Sequence, residues 1–232
     1  MLGSARVVDL THTLTPEFPL FPAYDPVRVA DKFTVEADGF AVRSWAFDEH
    51  SGTHVDAPAH FGGELTVDRI DPAELVLPAV VLDVRDRLRG DDDGVVLPDD
   101  VRRWEREHGS LPERCVVLAL TGWGARAPDP VAYLNQDEHG TLHSPGFSEE
   151  LAQWLVAERP GVRGLGLDTA SLDRGATTAF EAHTAWLPTG RYGIENLNNL
   201  EQVPPAGAWI AVGAPKLQAG TGGPARILAL VP

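Results

Sequence analysis

Short apolar runs bounded by turn residues recur along the whole chain: Val7-Val-Asp-Leu10, Val80-Val-Leu-Asp-Val84, Cys115-Val-Val-Leu-Ala-Leu120, Gly164-Leu-Gly-Leu167, Trp209-Ile-Ala-Val-Gly213 and Arg226-Ile-Leu-Ala-Leu-Val231. Runs of this length predict strands. Arg28 to Val35 and Phe40 to Phe47 alternate instead, and Ala37-Asp-Gly39 between them predicts the turn of a hairpin. Helical spacing appears twice. Pro98 to Gly109 carries Asp99 and Asp100 in its first turn and Gly109 as its stop; Ser148 caps Glu149 to Val156, where Leu151, Trp154 and Leu155 make one apolar face. Asp71 to Leu75 predicts a brief helical turn and Asp91-Asp92-Asp93-Gly94 a solvated one, while residues 125–147 hold no strong period and close at Pro145-Gly146. With no internal repeat and no dividing linker, the pattern predicts one α/β domain over residues 1–232, built on a mixed sheet.

Two stretches stand apart from this alternation. Thr11 to Pro26 has prolines at 16, 19, 22 and 26 with Phe18, Phe21 and Tyr24 between them, which predicts a stiff loop serving as a cover or as the wall of an apolar pocket. The other is His50-Ser-Gly-Thr-His54-Val-Asp56-Ala-Pro-Ala-His60-Phe61, which places three of the eight histidines and a carboxylate within eleven residues. One histidine in such a place is more often a satisfied structural residue than a ligand. Several together crowd one another unless a cation organises them. Neutral imidazole and carboxylate suit zinc, manganese or iron, and a hydrolytic site keeps one position open for water. Gly52 and Pro58 oppose a continuous helix, and an extended segment would put positions 50, 54, 56 and 60 on one face. Two distant residues, His183 and Glu195, are candidates to complete such a site.

Composition narrows the partners. At 232 residues the chain can bury one large core, and 19 basic against 34 acidic residues give a formal charge of −15. Such a surface repels phosphate backbones and anionic membranes, so neither nucleic acid nor membrane is expected as a partner. Cys115 is the single cysteine, which excludes an intrachain disulfide, and its apolar neighbours predict a buried, inert thiol. The first ten residues lack the apolar core of a signal peptide, and no apolar run approaches the ~18 residues of a membrane span, which predicts a cytoplasmic protein. Gly164-x-Gly166 lacks the third glycine and following helix of a dinucleotide fingerprint.

The stretch His50-x-Gly-Thr-His54-x-Asp56-Ala-Pro58-x-His60-Phe61 resembles the signature of the metal-dependent cyclase-like hydrolases, a family that includes bacterial kynurenine formamidase and isatin hydrolase. Thr121-Gly-Trp123, Pro145-Gly146, Gly166-Leu-Asp168-Thr-x-Ser171-x-Asp173, His183, Glu195-Asn-Leu197 and Pro215-Lys216 through Gly220-Thr-Gly-x-Pro224-x-Arg226 follow in the family's order. The resemblance implies the swivelling β/β/α fold, a homodimer or larger homo-oligomer, and a divalent cofactor, zinc or manganese, as one or two ions. It implies His50, His54 and Asp56 as metal ligands and His60 as the catalytic acid/base. In two-metal members, residues matching His183 and Glu195 also ligate; Asp56 and Glu195 would bridge two ions, with His50 and His54 on one and His183 on the other. Relatives of isatin hydrolase work with a single manganese. Where many members carry Trp-Pro-Gly-Asp, this chain has Phe21-Pro-Ala-Tyr24, so Phe21 stands where a substrate-stacking tryptophan is expected and the indole donor is lost.

The expected reaction is hydrolysis of a non-peptide amide in a small aromatic substrate, of the arylformamidase type, by metal-activated water. The alternatives are ring opening of isatin or another cyclic amide or lactone, a biosynthetic cyclase or dehydratase on the same site, and a non-catalytic metal or small-ligand binding protein. Ser51 and Thr53 offer hydroxyls, but no triad arrangement is legible around them.

Overall fold

The computed structural model describes residues 5–232. In chain order its strands are β1 (Arg6–Asp9), β2 (Arg28–Phe33), β3 (Val42–Ala46), β4 (His54–Asp56), β5 (Val76–Asp83), β6 (Val95–Val96), β7 (Cys115–Leu120), β8 (Gly146–Phe147), β9 (Val162–Leu167), β10 (Tyr192–Glu195), β11 (Trp209–Gly213), β12 (Gly222–Pro224) and β13 (Arg226–Val231). The helices are α1 (Val35–Asp38), α2 (Pro98–His108), α3 (Pro130–Leu134), α4 (Glu149–Glu158) and α5 (Glu181–Trp186).

Nine strands form one mixed sheet in the order β1-β13-β11-β5-β7-β9-β10-β4-β12. Its centre, β5 through β10, is parallel, and both wings are antiparallel. A single residue, Ala225, separates β12 at one end of the sheet from β13 near the other. So short a link forces the sheet to curl until its ends approach, and the Ala225 N–H donates to the Thr53 carbonyl (2.9 Å) across the closure.

The curled sheet has two differently filled faces. On β7, Cys115, Val117 and Ala119 pack outward with Val101 and Trp104 of α2 and Leu151 and Leu155 of α4, whereas Val116, Leu118 and Leu120 point inward among Val55, Ile194 and Ile227. Burial on both faces is why this strand reads as one unbroken apolar run. The outer layer is fixed by its caps. Ser148 Oγ accepts from the Leu151 N–H (3.0 Å) to start α4, and Asp100 accepts from the Leu97 N–H (2.9 Å) to start α2, where Pro98 takes the first helical position.

Several expected elements shift. The hairpin exists, but Val35 leaves the strand: Thr34 caps the single turn α1, and Gly39 at φ 78° ends it. The segment from 50 to 60 is not one extended strand. Only His54–Asp56 is, with Gly52 turning at φ 66° before it and a 3-10 turn, Pro58–Phe61, after it. The patternless 125–147 region contains the short helix α3, which Asp129 caps through the Val131 and Ala132 N–H groups (3.0 and 3.2 Å). Asp91 is exposed as expected, but Asp92 accepts from Asn135 Nδ2 (3.0 Å) and Asp93 pairs with His143 Nδ1 (2.8 Å), so this turn is tied down. Glycines 164 and 166 have a packing role: a Cβ at 164 would lie 2.5 Å from the Tyr192 ring, and one at 166 would lie 2.8 Å from Leu118. Among the described residues no helix is long and apolar enough to cross a membrane.

Candidate metal centre

Strand β4 is buried along its whole length and sits between β10 and β12. Alternation sends His54 and Asp56 to one side and Val55 into the inner core. Asp56 pairs with Gly193 on β10 and Gly222 on β12, so both cross-strand neighbours lack a side chain. A Cβ at Gly193 would stand 2.9 Å from Asp56 Oδ2, which shows that the carboxylate occupies the space a side chain would take.

Three histidines converge on that carboxylate. His50 Nδ1 lies 2.7 Å from Asp56 Oδ1, His54 Nε2 3.2 Å from the same oxygen, and His183 Nε2 3.6 Å from Oδ2. Glu195, at the end of β10, adds a second carboxylate, 3.2 Å from His54 Nε2 and 3.1 Å from His183 Nε2. The His60 ring stacks on His50 at 3.8 Å between centroids. Thus the six residues singled out in the sequence come together, although only His54 and Asp56 share a strand face. His50 is brought in by the turn at Gly52 and His60 by the 3-10 turn.

Each ring is oriented from behind. His54 Nδ1 donates to the Gly52 carbonyl (2.8 Å), which also receives Asn196 Nδ2 (2.8 Å), so His54 Nε2 faces the carboxylates without a proton when the imidazole is neutral. His183 Nδ1 meets Asp173 Oδ2 at 2.5 Å, and the same carboxylate receives the Ala182 and His183 N–H groups (2.6 and 3.2 Å). Asp173 lay in the motif run of the sequence but carried no assigned role; its spacing ten residues before His183 gives no sign of the pairing.

The residues fit a divalent cation. His54 Nε2 and Asp56 Oδ2 are buried with no hydrogen-bond partner, and the 3.2 Å approaches of His54 are not aligned as hydrogen bonds. Orphaned ligand atoms of this kind are costly unless something else satisfies them, and imidazole nitrogen with carboxylate oxygen is a donor set for zinc or manganese. Two groupings have ligand spacing, His50/Asp56/His60 and His54/Asp56/Glu195, and they share Asp56. In the protein without a cation, the flanking carboxylates raise His54 to about 10 and hold His183 well above its ordinary value, each against the effect of burial. Asp56 and Glu195 are correspondingly lowered by their histidine partners. Burial takes His60 the other way, down to about 4, so it is a neutral base at physiological pH.

Aromatic rings line the approach. Phe61 stacks on His183 (4.6 Å), Phe180 lies 5.8 Å from Phe61 and 6.3 Å from Phe21, and Tyr24 stacks on His50 at 6.1 Å. Phe21 therefore lies among these rings, and Phe180 joins it in a left-handed conformation (φ 50°), rare for a bulky residue. Phe180 and Tyr24 were not singled out as site residues in the sequence. A cavity of about 760 Å³, between α2 and the segment Glu201–Ala206, lies away from these residues, and the arginines lining it are already paired: Arg85 to Asp83, Arg103 to Asp100, and Arg6 to Gln202.

The comparisons with known proteins agree with this fold. The family model described as "Putative cyclase" matches residues 8–174. Isatin hydrolase from Roseibium aggregatum is 33% identical over 247 aligned residues, covering 99% of this chain and 93% of that protein. Kynurenine formamidase from Salinibacter ruber is 29% identical, covering 95% of each. The structure of isatin hydrolase A from Ralstonia solanacearum superposes with a TM-score of 0.93 at 37% identity, covering 99% of this chain and 93% of that one. With a nine-stranded curled sheet, the histidine and carboxylate cluster on β4, and relatives matched along almost the whole length, the chain belongs to the cyclase family of hydrolases.

Proposed function

We propose that this protein is a metal-dependent hydrolase that breaks the C–N bond of a small aromatic amide, with a cyclic amide of the isatin type as its preferred class. The observation that carries the reading is the cluster His50, His54, Asp56, His183 and Glu195, buried beneath the rings of Phe21, Phe61 and Phe180 with His60 beside it. The higher full-length identity to isatin hydrolases supports the cyclic substrate. An open arylformamide is the second reading, supported by the kynurenine formamidase relative.

His50, His54, Asp56, His183 and Glu195 would hold the cation, zinc or manganese. When bound, such an ion polarises the substrate carbonyl and lowers the pKa of water toward about 7. The remaining tasks belong to the chain. The aromatic rings hold a flat substrate by stacking and keep bulk water out. His60, neutral because burial takes it to about 4, accepts the proton of the attacking water at an imidazole nitrogen and returns it to the leaving nitrogen. Water adds at the carbonyl carbon, the C–N bond breaks, and a carboxylate and an amine result. Neither nearby hydroxyl supports a covalent route: Thr53 Oγ1 donates to the Asn196 carbonyl (2.5 Å), and Ser51 Oγ is buried with no hydrogen-bond partner.

The test is hydrolysis of isatin and of N-formylkynurenine by protein loaded with zinc or manganese, with and without chelator. Ring opening at least tenfold faster in kcat/KM than deformylation is the expected result. Faster deformylation would establish the second reading, and full activity in the chelated protein would overturn the metal chemistry.

A further inference from the structure

His50 differs from the other two candidate ligands in how it is held. His54 and His183 are fixed through Nδ1 and offer Nε2, whereas His50 Nδ1 is the atom facing Asp56, at 2.7 Å. Its Nε2 points away from the cluster, to the hydroxyl of Thr221 at 3.1 Å. Thr221 lies 171 residues further along the chain, in the glycine-rich link that leads into β12.

The proton arrangement of that contact follows from Glu49. Its Oε2 accepts both the Thr221 N–H (3.0 Å) and the Thr221 hydroxyl (2.6 Å). A hydroxyl has one proton, and the shorter bond to a carboxylate takes it. Thr221 Oγ1 is left as an acceptor, so His50 must donate from Nε2. A neutral His50 then presents a bare Nδ1 to the cluster, at a distance from Asp56 Oδ1 where two lone pairs repel unless a cation lies between them.

The surroundings are shaped for this relay. A Cβ at Gly222 would lie 2.6 Å from His50 Cε1 and 2.5 Å from the Val55 carbonyl, and a Cβ at Gly220 would lie 2.8 Å from Glu49 Oε1. The glycines flanking Thr221 thus make room for the ring on one side and the carboxylate on the other. The Thr221 carbonyl accepts from the Ala57 N–H (2.8 Å), which ties the relay to the strand that carries His54 and Asp56.

We propose that Glu49 and Thr221 are positioning residues that lock His50 as the Nε2–H tautomer, so that it binds the cation through Nδ1, the opposite nitrogen from that used by His54 and His183. This inference rests on the metal reading above. Partners behind a metal-bound histidine are typically worth about 10- to 100-fold in metal affinity.

The experiment titrates zinc and manganese into metal-free wild type, Thr221→Val, Thr221→Ser and Glu49→Gln, with melting of the metal-free proteins as a fold control. Thr221→Val, which keeps the shape and removes the acceptor, is expected to weaken binding about 10- to 100-fold. Thr221→Ser restores it to within about threefold, and Glu49→Gln weakens it in the same direction by less. In the zinc-loaded wild type, long-range 15N–1H spectra show His50 protonated at Nε2 and metal-bound at Nδ1. Thr221→Val binding as tightly as wild type, Thr221→Ser binding as weakly as Thr221→Val, or Nε2 as the metal-bound atom each overturns the relay alone. A wild type that takes up neither metal overturns the metal reading itself, which is a different result. Should Thr221→Val fail to fold, the Ser and Gln variants and the spectra decide the matter.

Discussion

Loading the centre with metal should release protons, and the structure says how many. In the metal-free protein His54 is held cationic by Asp56 and Glu195 and His183 by Asp173 first, then by Asp56 and Glu195, with His54 raised to about 10 and His183 also well above its usual range. The nitrogens that face the carboxylates must lose their protons before they can ligate. For His54 alone, displacing a proton held at about 10 costs roughly a thousandfold in apparent affinity at pH 7, or ~4 kcal/mol. With both histidines engaged, the logarithm of the binding constant should rise by about two per pH unit between pH 6 and 8, and about two protons should leave per site filled. Calorimetric titration of zinc or manganese in buffers of different ionisation enthalpy counts them directly. Heats independent of buffer, with affinity flat across that range, would refute the reasoning, because they would mean that the histidines were already neutral or do not ligate.

The same couplings set the stability of the metal-free protein. The raised histidines contribute stability that is complete below about 6.5 and is lost as pH rises through their raised values, about 10 for His54, while the lowered Asp56 and Glu195 contribute stability present above about 4.5 and lost on acidification. His60, which burial takes down to about 4, acts the opposite way and costs stability as pH falls from about 6.5, so melting temperatures of the metal-free protein should peak near pH 6.5 and fall on both sides, with metal loading removing the alkaline fall. His60→Gln should lower kcat about 10²- to 10⁴-fold while keeping the metal content; loss of metal in step with activity would make His60 a ligand instead. Cys115, buried and pushed up to about 12, should resist iodoacetamide at pH 8 until the fold opens, as mass spectrometry will show. The β2–β3 hairpin exposes Phe40 (53%) and Trp45 (44%), and an isolated two-stranded ribbon is marginal in water. We expect a homo-oligomer that covers it: light scattering should give about twice 25.0 kDa or more, and Trp45→Glu should lower the mass.

What could be read from the sequence follows from how local each feature is. β7, α2, α4, β11 and β13 lie where their patterns predict, because in each the period or the cap is written within a few adjacent residues. β4 and β12 are only three residues long, and β12 is two glycines and a proline; their strand character comes from pairing with each other and, for β4, with β10. The convergence of His50, His54, Asp56 and His60 was legible, but the reason given, one extended face, was not the one the fold uses. His183 and Glu195 were candidates by residue type alone, since nothing in their own neighbourhoods marks them, and only the family resemblance gave them a place in the site. Asp173, Thr221, Glu49 and Phe180 act through partners remote in sequence, and their spacing carried no sign of those contacts.

The two bare positions beside Asp56 have a further consequence. Because the carboxylate leans on main chain at 193, its location follows the spacing between strands, one of the least compressible lengths in a protein. The rings of Phe21, Phe61 and Phe180, by contrast, come from a loop, a 3-10 turn and a helix start. Rigid coordinates and a replaceable lining are thus carried by different parts of the fold. Under selection for a new substrate, changes would accumulate in the lining while Gly193 and Gly222 stay silent, which makes this scaffold a natural starting point for directed evolution.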